Sequence, residues 1–317
     1  MGRYLIRRIA FAVFLVFAVS SASLVLARLA PGDYVSQSLG IEARRETVAQ
    51  TRARLGLDKP IATQYGEWLA GALRLDFGRS LLYDRPVTDL IPERAANTAV
   101  LALTALVLAT LIGLPLGVVS GSRRHGAVPV AIRAVSLVLL SMPPLLTSLF
   151  LVFLAARTGW APIAGMRSAG APQSGLTVDL LRHLLVPAAA LALPLAAMFE
   201  RLQSQAMADT LAEPFVVAAF ARGVPRSRVV WRSALKAALR PVLSIYGVIV
   251  GTLLSGSFAV EVITAWPGLG RLMLDALLAR DVFLVAGCAG VGSVFLAAGT
   301  LVSDAALAWA DPRAAES

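Results

Sequence analysis

The chain has 317 residues, 57% of them hydrophobic and only 15% charged, with a mean hydropathy of +0.74. That excludes an ordinary water-soluble globule, in which about 25% of residues are charged. The formal charge of +10 would point to nucleic acid in a soluble protein, but here the arginines fall between long uncharged runs, where they set membrane orientation.

Taken in chain order, the first run without Asp, Glu, Lys or Arg is Ile9 to Ala27, preceded by Arg3, Arg7 and Arg8. It is longer than the ~7–15 residues of a cleavable signal core and reads as a retained signal anchor. Pro31 to Arg94 follows, too long for a hairpin and balanced at nine Lys or Arg against nine Asp or Glu, which predicts a small domain outside the membrane. Within it Ile61, Tyr65, Trp68, Leu69 and Leu73 recur at helical spacing, an apolar stripe suited to lying on the bilayer or on other helices.

Further uncharged runs are Ala95 to Ser122, Ala134 to Ala156, His183 to Phe199, Pro241 to Val260 and Val282 to Ser303. Each approaches or exceeds the ~17–25 residues that cross a bilayer core, which predicts six transmembrane helices. The run from His183 is the shortest and carries Pro187 and Pro194, which predicts a kinked span flanked by protein. The run from Pro241 places Gly247, Gly251 and Ser255 at four-residue spacing, a stripe that admits close helix approach and equally fits ordinary packing.

Basic residues in the short flanks give the orientation. Arg3, Arg7, Arg8, Arg123, Arg124, Arg133 and the seven from Arg201 to Arg240 fall on one side, against Arg157, Arg167, Arg182, Arg271 and Arg280 on the other. The positive-inside rule then puts both termini in the cytoplasm.

The cytoplasmic stretch "FVVAAFARGVPRSRVVWRSALKAALRPV", Phe215 to Val242, is the longest polar interruption in the second half. Pro214 suits a first helical turn, and the helical stretch Phe215 to Arg222 ends at Gly223, suited to a left-handed cap. Pro225 opens a second, basic helix that runs into the fifth span. The expected result is a rigid lever; the competing reading is a solvated amphipathic connector.

Several chemistries are excluded. A Walker A loop needs Gly-Lys, but the only lysines, Lys59 and Lys236, follow Asp58 and Leu235, so any ATP is hydrolysed by another subunit. The runs hold no acidic or basic relay of the kind an ion-coupled carrier needs, and Glu200, Glu261 and Asp304 lie at or near span ends, where solvation is cheap. The lone Cys288, in an apolar run, permits neither an intrachain disulfide nor a cysteine metal site. His125 and His183 lie far apart and read as loop or interface residues, and no HExxH is present.

In order, "RYLIRR", "RLAPGD" at Arg28 to Asp33, "GLDKPIATQYGEWL" from Gly56, "DFGRS" from Asp76, "NTAVLAL" from Asn97, "SMPP" from Ser141, "LALPLAA" from Leu191, "WPGLGR" at Trp266 to Arg271 and "DPR" at Asp311 to Arg313 span nearly the whole chain. Together they resemble the inner-membrane permease subunit of dipeptide, oligopeptide and nickel ABC importers of the binding-protein-dependent type. The stretch from Phe215 is similar to that family's coupling loop, whose helix docks into a groove on the ATPase. Phe215, Ala218, Ala219, Arg222, Gly223 and Pro225 are the residues the resemblance assigns to coupling, with Ala218 and Ala219 as the paired small residues and Gly223 as the turn. Val217 stands where the general motif has Glu and this subfamily Arg, while Pro214 and Phe220 replace Asp and Arg, which favours docking by shape and apolar contact over salt bridges.

The resemblance implies an all-α integral membrane protein with the ABC type-1 transmembrane fold: a first span in residues 1–30, an extracytoplasmic segment 31–92, a five-helix domain 93–307 containing the coupling loop 200–240, and a cytoplasmic tail 308–317. It implies a transport subunit in the bacterial inner membrane, forming half of a pathway for peptides or a similar small solute. No cofactor is expected in this chain, with ATP and magnesium on partner subunits. The implied partners are a homologous second permease, two ATPase subunits, an extracytoplasmic solute-binding protein and the lipid bilayer, with no nucleic acid. The alternative is a secondary transporter or channel working without ATPases.

Overall fold

The computed structural model describes residues 2–39, 45–123, 125–170, 172, 175 and 177–310, without the side chains of 2–5, 39, 45, 254, 255 and 303–310. Arg124, the "DPR" at Asp311 and the side chains of Arg3, Ser255 and Asp304 therefore lie outside the described residues. The chain begins with α1 (Gly2–Leu29), followed by the short α2 (Tyr34–Leu39), α3 (Arg45–Arg54) and α4 (Ile61–Ala72). Next come α5 (Val87–Ser122), α6 (Ala127–Leu140), α7 (Pro144–Thr158), α8 (Val178–Leu211) and α9 (Pro214–Ala221). After α10 (Arg226–Arg228) a π-helical turn covers Val229–Ala234, and α11 (Leu235–Ala238), α12 (Arg240–Ile263), α13 (Leu269–Leu278) and α14 (Val282–Ala310) complete the order. Among the described residues the only extended pairing is an isolated antiparallel bridge between Arg79 and Pro86.

Four helices, α1, α5, α8 and α14, are individually long and apolar enough to cross a membrane. Two bent pairs bring the count to as many as six: α6 with α7 at 104°, and Arg226–Ala238 with the first part of α12 at 51°. The run Ala134 to Ala156 is thus not one straight helix. Ser141 closes α6, Pro143 is extended at φ −60° and ψ 147°, and Pro144 opens α7. Two adjacent prolines remove two backbone donors and push the residue before each away from helical geometry, so the chain turns there. The proline-bearing run from His183 sits inside a single helix, α8, which has the largest buried share of the four long spans.

The chain forms two compact units. The first comprises Met1–Thr98 and Pro267–Ala297. In it α4 packs on α1 through a core of Leu24, Trp68 and Ala286, and the Tyr65 hydroxyl donates to Ser21 Oγ at 3.1 Å. Of the predicted stripe, Tyr65, Trp68 and Leu69 join that core, whereas Ile61 and Leu73 stay exposed because they lie at the two ends of the short helix. Asp33 caps α2, its Oδ1 accepting the Ser36 amide at 2.9 Å, and pairs with Arg52 at 2.6 Å. Burial alone would raise the Asp33 pKa, but hydrogen bonds from Arg52 and Ser36 and the Arg52 charge hold it well below the usual carboxylate range.

Asp281 pins the segment between α4 and α5 of this unit. Fully buried, its carboxylate accepts the Ser80 hydroxyl at 2.6 Å, the Leu82 amide at 3.0 Å and, at the start of α14, the Leu284 amide at 3.1 Å. Asp281→Ala strands those donors in a buried site, at a cost of about 2–4 kcal/mol. Thermal unfolding in detergent is expected at a clearly lower midpoint, while Glu67→Ala, which removes an exposed ion pair with Lys59, should change it little. Equal midpoints for the two variants would show that Asp281 is not a latch.

The second unit comprises Ala99–Trp266 and Ala298–Ser317 and is built around α8, against which α6, α7 and α12 pack. Gly113, Gly117 and Gly121 of α5, four residues apart, face the backbone of Ala196, Glu200 and Ser204 of α8, also four apart. A β-carbon on Gly117 would stand 2.6 Å from Gln203 Cβ and 2.7 Å from the Glu200 carbonyl oxygen, and one on Gly113 would stand 2.7 Å from Phe199 Cβ. The predicted stripe on α12 also meets glycine: a β-carbon on Gly299 of α14 would lie 3.0 Å from Gly251 N and 3.1 Å from Gly247 O. Without side chains the helices approach closely, which is how apolar helices associate when lipid is as apolar as they are.

The acidic residues correct the sequence reading. Glu200 and Glu261 are 2% and 0% exposed rather than solvated at span ends. Glu200 lies well inside α8, which continues past the charge to Leu211, and its Oε1 accepts the Ser120 hydroxyl. Glu261 accepts the Ser257 hydroxyl at 2.9 Å. Each carboxylate is tolerated because a hydroxyl meets it inside the protein. Cys288 packs in the first unit's core, His125 is an exposed loop residue, and His183 is buried on α8 beside Asp179.

Candidate functional site

The stretch singled out from the sequence begins where α8 ends. The Ala212 and Glu213 amides bond back to Asp209 and Thr210, Glu213 is extended at ψ 143°, and Pro214 supplies the first helical turn of α9. The helix is Pro214–Ala221, one residue earlier than the expected Phe215 to Arg222, with Arg222 as its cap. Gly223 follows at φ +75°, its amide donating to Phe220 O at 2.9 Å while the Val224 amide donates to Ala219 O at 3.2 Å. This pair of bonds is the Schellman termination that a left-handed residue permits, so the sequence reading of Gly223 holds.

Pro225, with φ −58° and ψ 138°, starts the next helix as expected. That helix is not uniform: after α10 comes the π-helical turn, then α11 and the 51° bend into α12. The whole stretch rests on a floor of Val118, Met207, Val216, Ala219, Val229, Val230, Ala234 and Ala238. Arg226 ties it to the end of α5 by donating to the Ser122 carbonyl at 2.7 Å.

Of the six residues singled out from the sequence, Phe215, Ala218, Arg222, Gly223 and Pro225 are exposed. Ala219 is not. At 7% exposure it faces inward with Val216, three residues before it on the same side of α9, so it packs the lever rather than presenting a surface. The outward face gains Val217, Phe220 and Trp231, at 55%, 39% and 50% exposure, which the motif alone did not single out. Their signal was available: all eight residues of α9 are apolar, and a helix that short cannot bury every side chain. The surface is thus an apolar knob bordered by Arg222, Arg226, Arg228 and Arg232. Among the described residues no three His, Cys, Asp or Glu gather as a metal site.

Residues 113–316 match the family described as binding-protein-dependent transport system inner membrane component, and residues 1–102 match the N-terminal part of such components. The chain belongs to this family. Like other binding-protein-dependent inner membrane components, it is a multi-pass permease that works with other parts of an ABC transport system. Over 315 residues it is 31% identical to the oligopeptide transport system permease protein AppB of Bacillus subtilis, covering 99% of each chain. It is 34% identical over 315 residues to a putative peptide transport system permease protein of Brucella suis, again at 99% coverage of both. A probable peptide ABC transporter permease of Sinorhizobium fredii is 30% identical over 314 residues, at the same coverage.

Proposed function

We propose that the chain is a permease subunit of an ATP-binding-cassette importer for peptides, crossing the bacterial inner membrane six times with both termini in the cytoplasm. The family match along the chain and relatives named as peptide permeases support this reading. The observation that carries the mechanism is α9, an apolar helix seated on the fold by Val216 and Ala219, closed by a glycine-terminated turn and exposing Phe215, Val217 and Phe220. It docks on an ATPase subunit, which binds and hydrolyses ATP with magnesium. Closure of two such ATPases pulls α9, and the spans of this chain and of a second permease open outward to receive solute from an extracytoplasmic binding protein. Segment 31–92 lies outside, the five-helix domain runs over 93–307 with its coupling loop at 200–240, and the tail 308–317 is cytoplasmic.

The buried Glu200 and Glu261 favour a second reading, an ion-coupled carrier without ATPases. Two measurements separate them. In a Cys288→Ala background, a cysteine replacing Tyr83 is expected to react with an impermeant thiol reagent in intact cells, and one replacing Ser227 only after lysis. Peptide uptake is expected to vanish without the ATPase partners and to survive a protonophore while ATP is maintained. Uptake by this chain alone, or its loss to the protonophore under that condition, would establish the carrier instead.

A further inference from the structure

Within the second unit, α8 from Ala197 to Ala208 and α6 from Arg133 to Leu140 line an open-sided cavity of about 470 Å³. Small-molecule sites occupy roughly 300–1,000 Å³. Its floor is polar and buried, with Ser136, Glu200 and Ser204 at 8%, 2% and 9% exposure. Its rim carries Arg133, Arg201 and Gln205, all exposed.

The two signs of charge do not cancel within the protein. Glu200 accepts from the neutral Ser120 hydroxyl, and Arg133 donates to the Ser120 carbonyl at 2.7 Å rather than to the carboxylate. Among the described residues Glu200 forms no ion pair. An ionised carboxylate has about four lone-pair sites, so a single hydroxyl leaves most of its capacity open, at a place where water is largely excluded. A ligand ammonium supplies the missing donors and charge. The rim guanidinium groups have fixed forks of donors that suit a carboxylate.

The geometry points to a zwitterion site in this cavity, in which Glu200 receives the terminal ammonium of a short peptide and Arg201, with Arg133, holds a carboxylate. This rests on the peptide-importer reading and gives it a way station inside the permease. Phosphatidylethanolamine carries the same chemistry, an ammonium beside an anion, so the test separates the two sources.

The complete importer, assembled with its partner subunits in phosphatidylcholine nanodiscs, is titrated with labelled dialanine in the presence of excess binding protein loaded with unlabelled dialanine. Saturable binding is expected on the permease, weakened about tenfold or more by Glu200→Gln or by acetylating the peptide's amino group, the size of one charge-assisted hydrogen bond. Glu200→Gln should bind free and acetylated peptide alike and unfold at the parent's temperature. Absent binding, or parent-like binding by Glu200→Gln, overturns the proposal. So does displacement of dialanine when phosphatidylethanolamine replaces phosphatidylcholine, which would give the cavity to lipid. If peptide uptake by the same importer persists in those cases, only the cavity assignment falls; if the importer moves no peptide at all, the importer reading falls with it.

Discussion

Gly117→Val is expected to remove the protein from the membrane almost entirely. The first atom of the new side chain would stand 2.6 Å from Gln203 Cβ and 2.7 Å from the Glu200 carbonyl, and the second of these belongs to helical backbone that cannot step aside. Overpacking a close-fitting site costs about 1–3 kcal/mol and sometimes more. Here the cost rises further because α5 and α8 must separate along a row in which Gly113 and Gly121 are equally tight, Gly121 facing the Ser204 carbonyl and Met207 Cβ. Partial separation also exposes the buried Glu200 and its hydroxyl partner Ser120. Gly256→Val provides the control, since a β-carbon there meets nothing within 4 Å. Immunoblots of membrane fractions and detergent melting curves should show Gly256→Val near the parent and Gly117→Val degraded; parity between them would mean that the glycine row does not hold the helices together.

Gly223→Val is expected to do the opposite, leaving membrane levels near normal while uptake falls to near background. A β-carbon at Gly223 meets open space, so the penalty is confined to the backbone at φ +75°. A left-handed conformation costs an ordinary residue roughly 1–2 kcal/mol, and more for a β-branched one. That is too little to unfold the spans and enough to shift the turn, which undoes the bonds from Gly223 and Val224 that aim α9. Asn tolerates the left-handed region, so Gly223→Asn should restore much of the ATPase co-purification and uptake lost by Gly223→Val. If valine, asparagine and glycine all transport equally, α9 is a connector and not a coupling element.

The helices were legible because charged residues punctuate the apolar runs. Their breaks were not. The run from Ala134 to Ala156 carries no charge across its bend, and only Pro143 and Pro144 mark where the helix must stop. The burial of Glu200 was hidden for a different reason: its partner Ser120 lies 80 residues earlier in the chain, and a charge at the edge of an apolar run looks like the edge of the membrane. The row Gly113, Gly117, Gly121 was visible as spacing, but spacing does not say which helix it meets.

In the stretch from Pro214 to Ala238, Gly223 and Pro225 were readable because each imposes its own backbone geometry. The inward side of Ala219 was not readable because a motif fixes residue types and not helical phase, which here follows from Val216 and the floor beneath it. The outward Val217 and Trp231 depend on that same phase.

The π-helical turn at Val229–Ala234 resets that phase. A π turn accommodates one residue more than the α-helix it interrupts. At 3.6 residues per turn, one residue amounts to about 100° of rotation about the helix axis. Everything from Leu235 onward therefore presents a different side than a continuous helix from Pro225 would present. The stretch behaves as a gear with an offset tooth: its length, and not only its composition, is under constraint. A chain one residue shorter here would keep every apolar and basic residue in order and still turn α12 out of register with its neighbours.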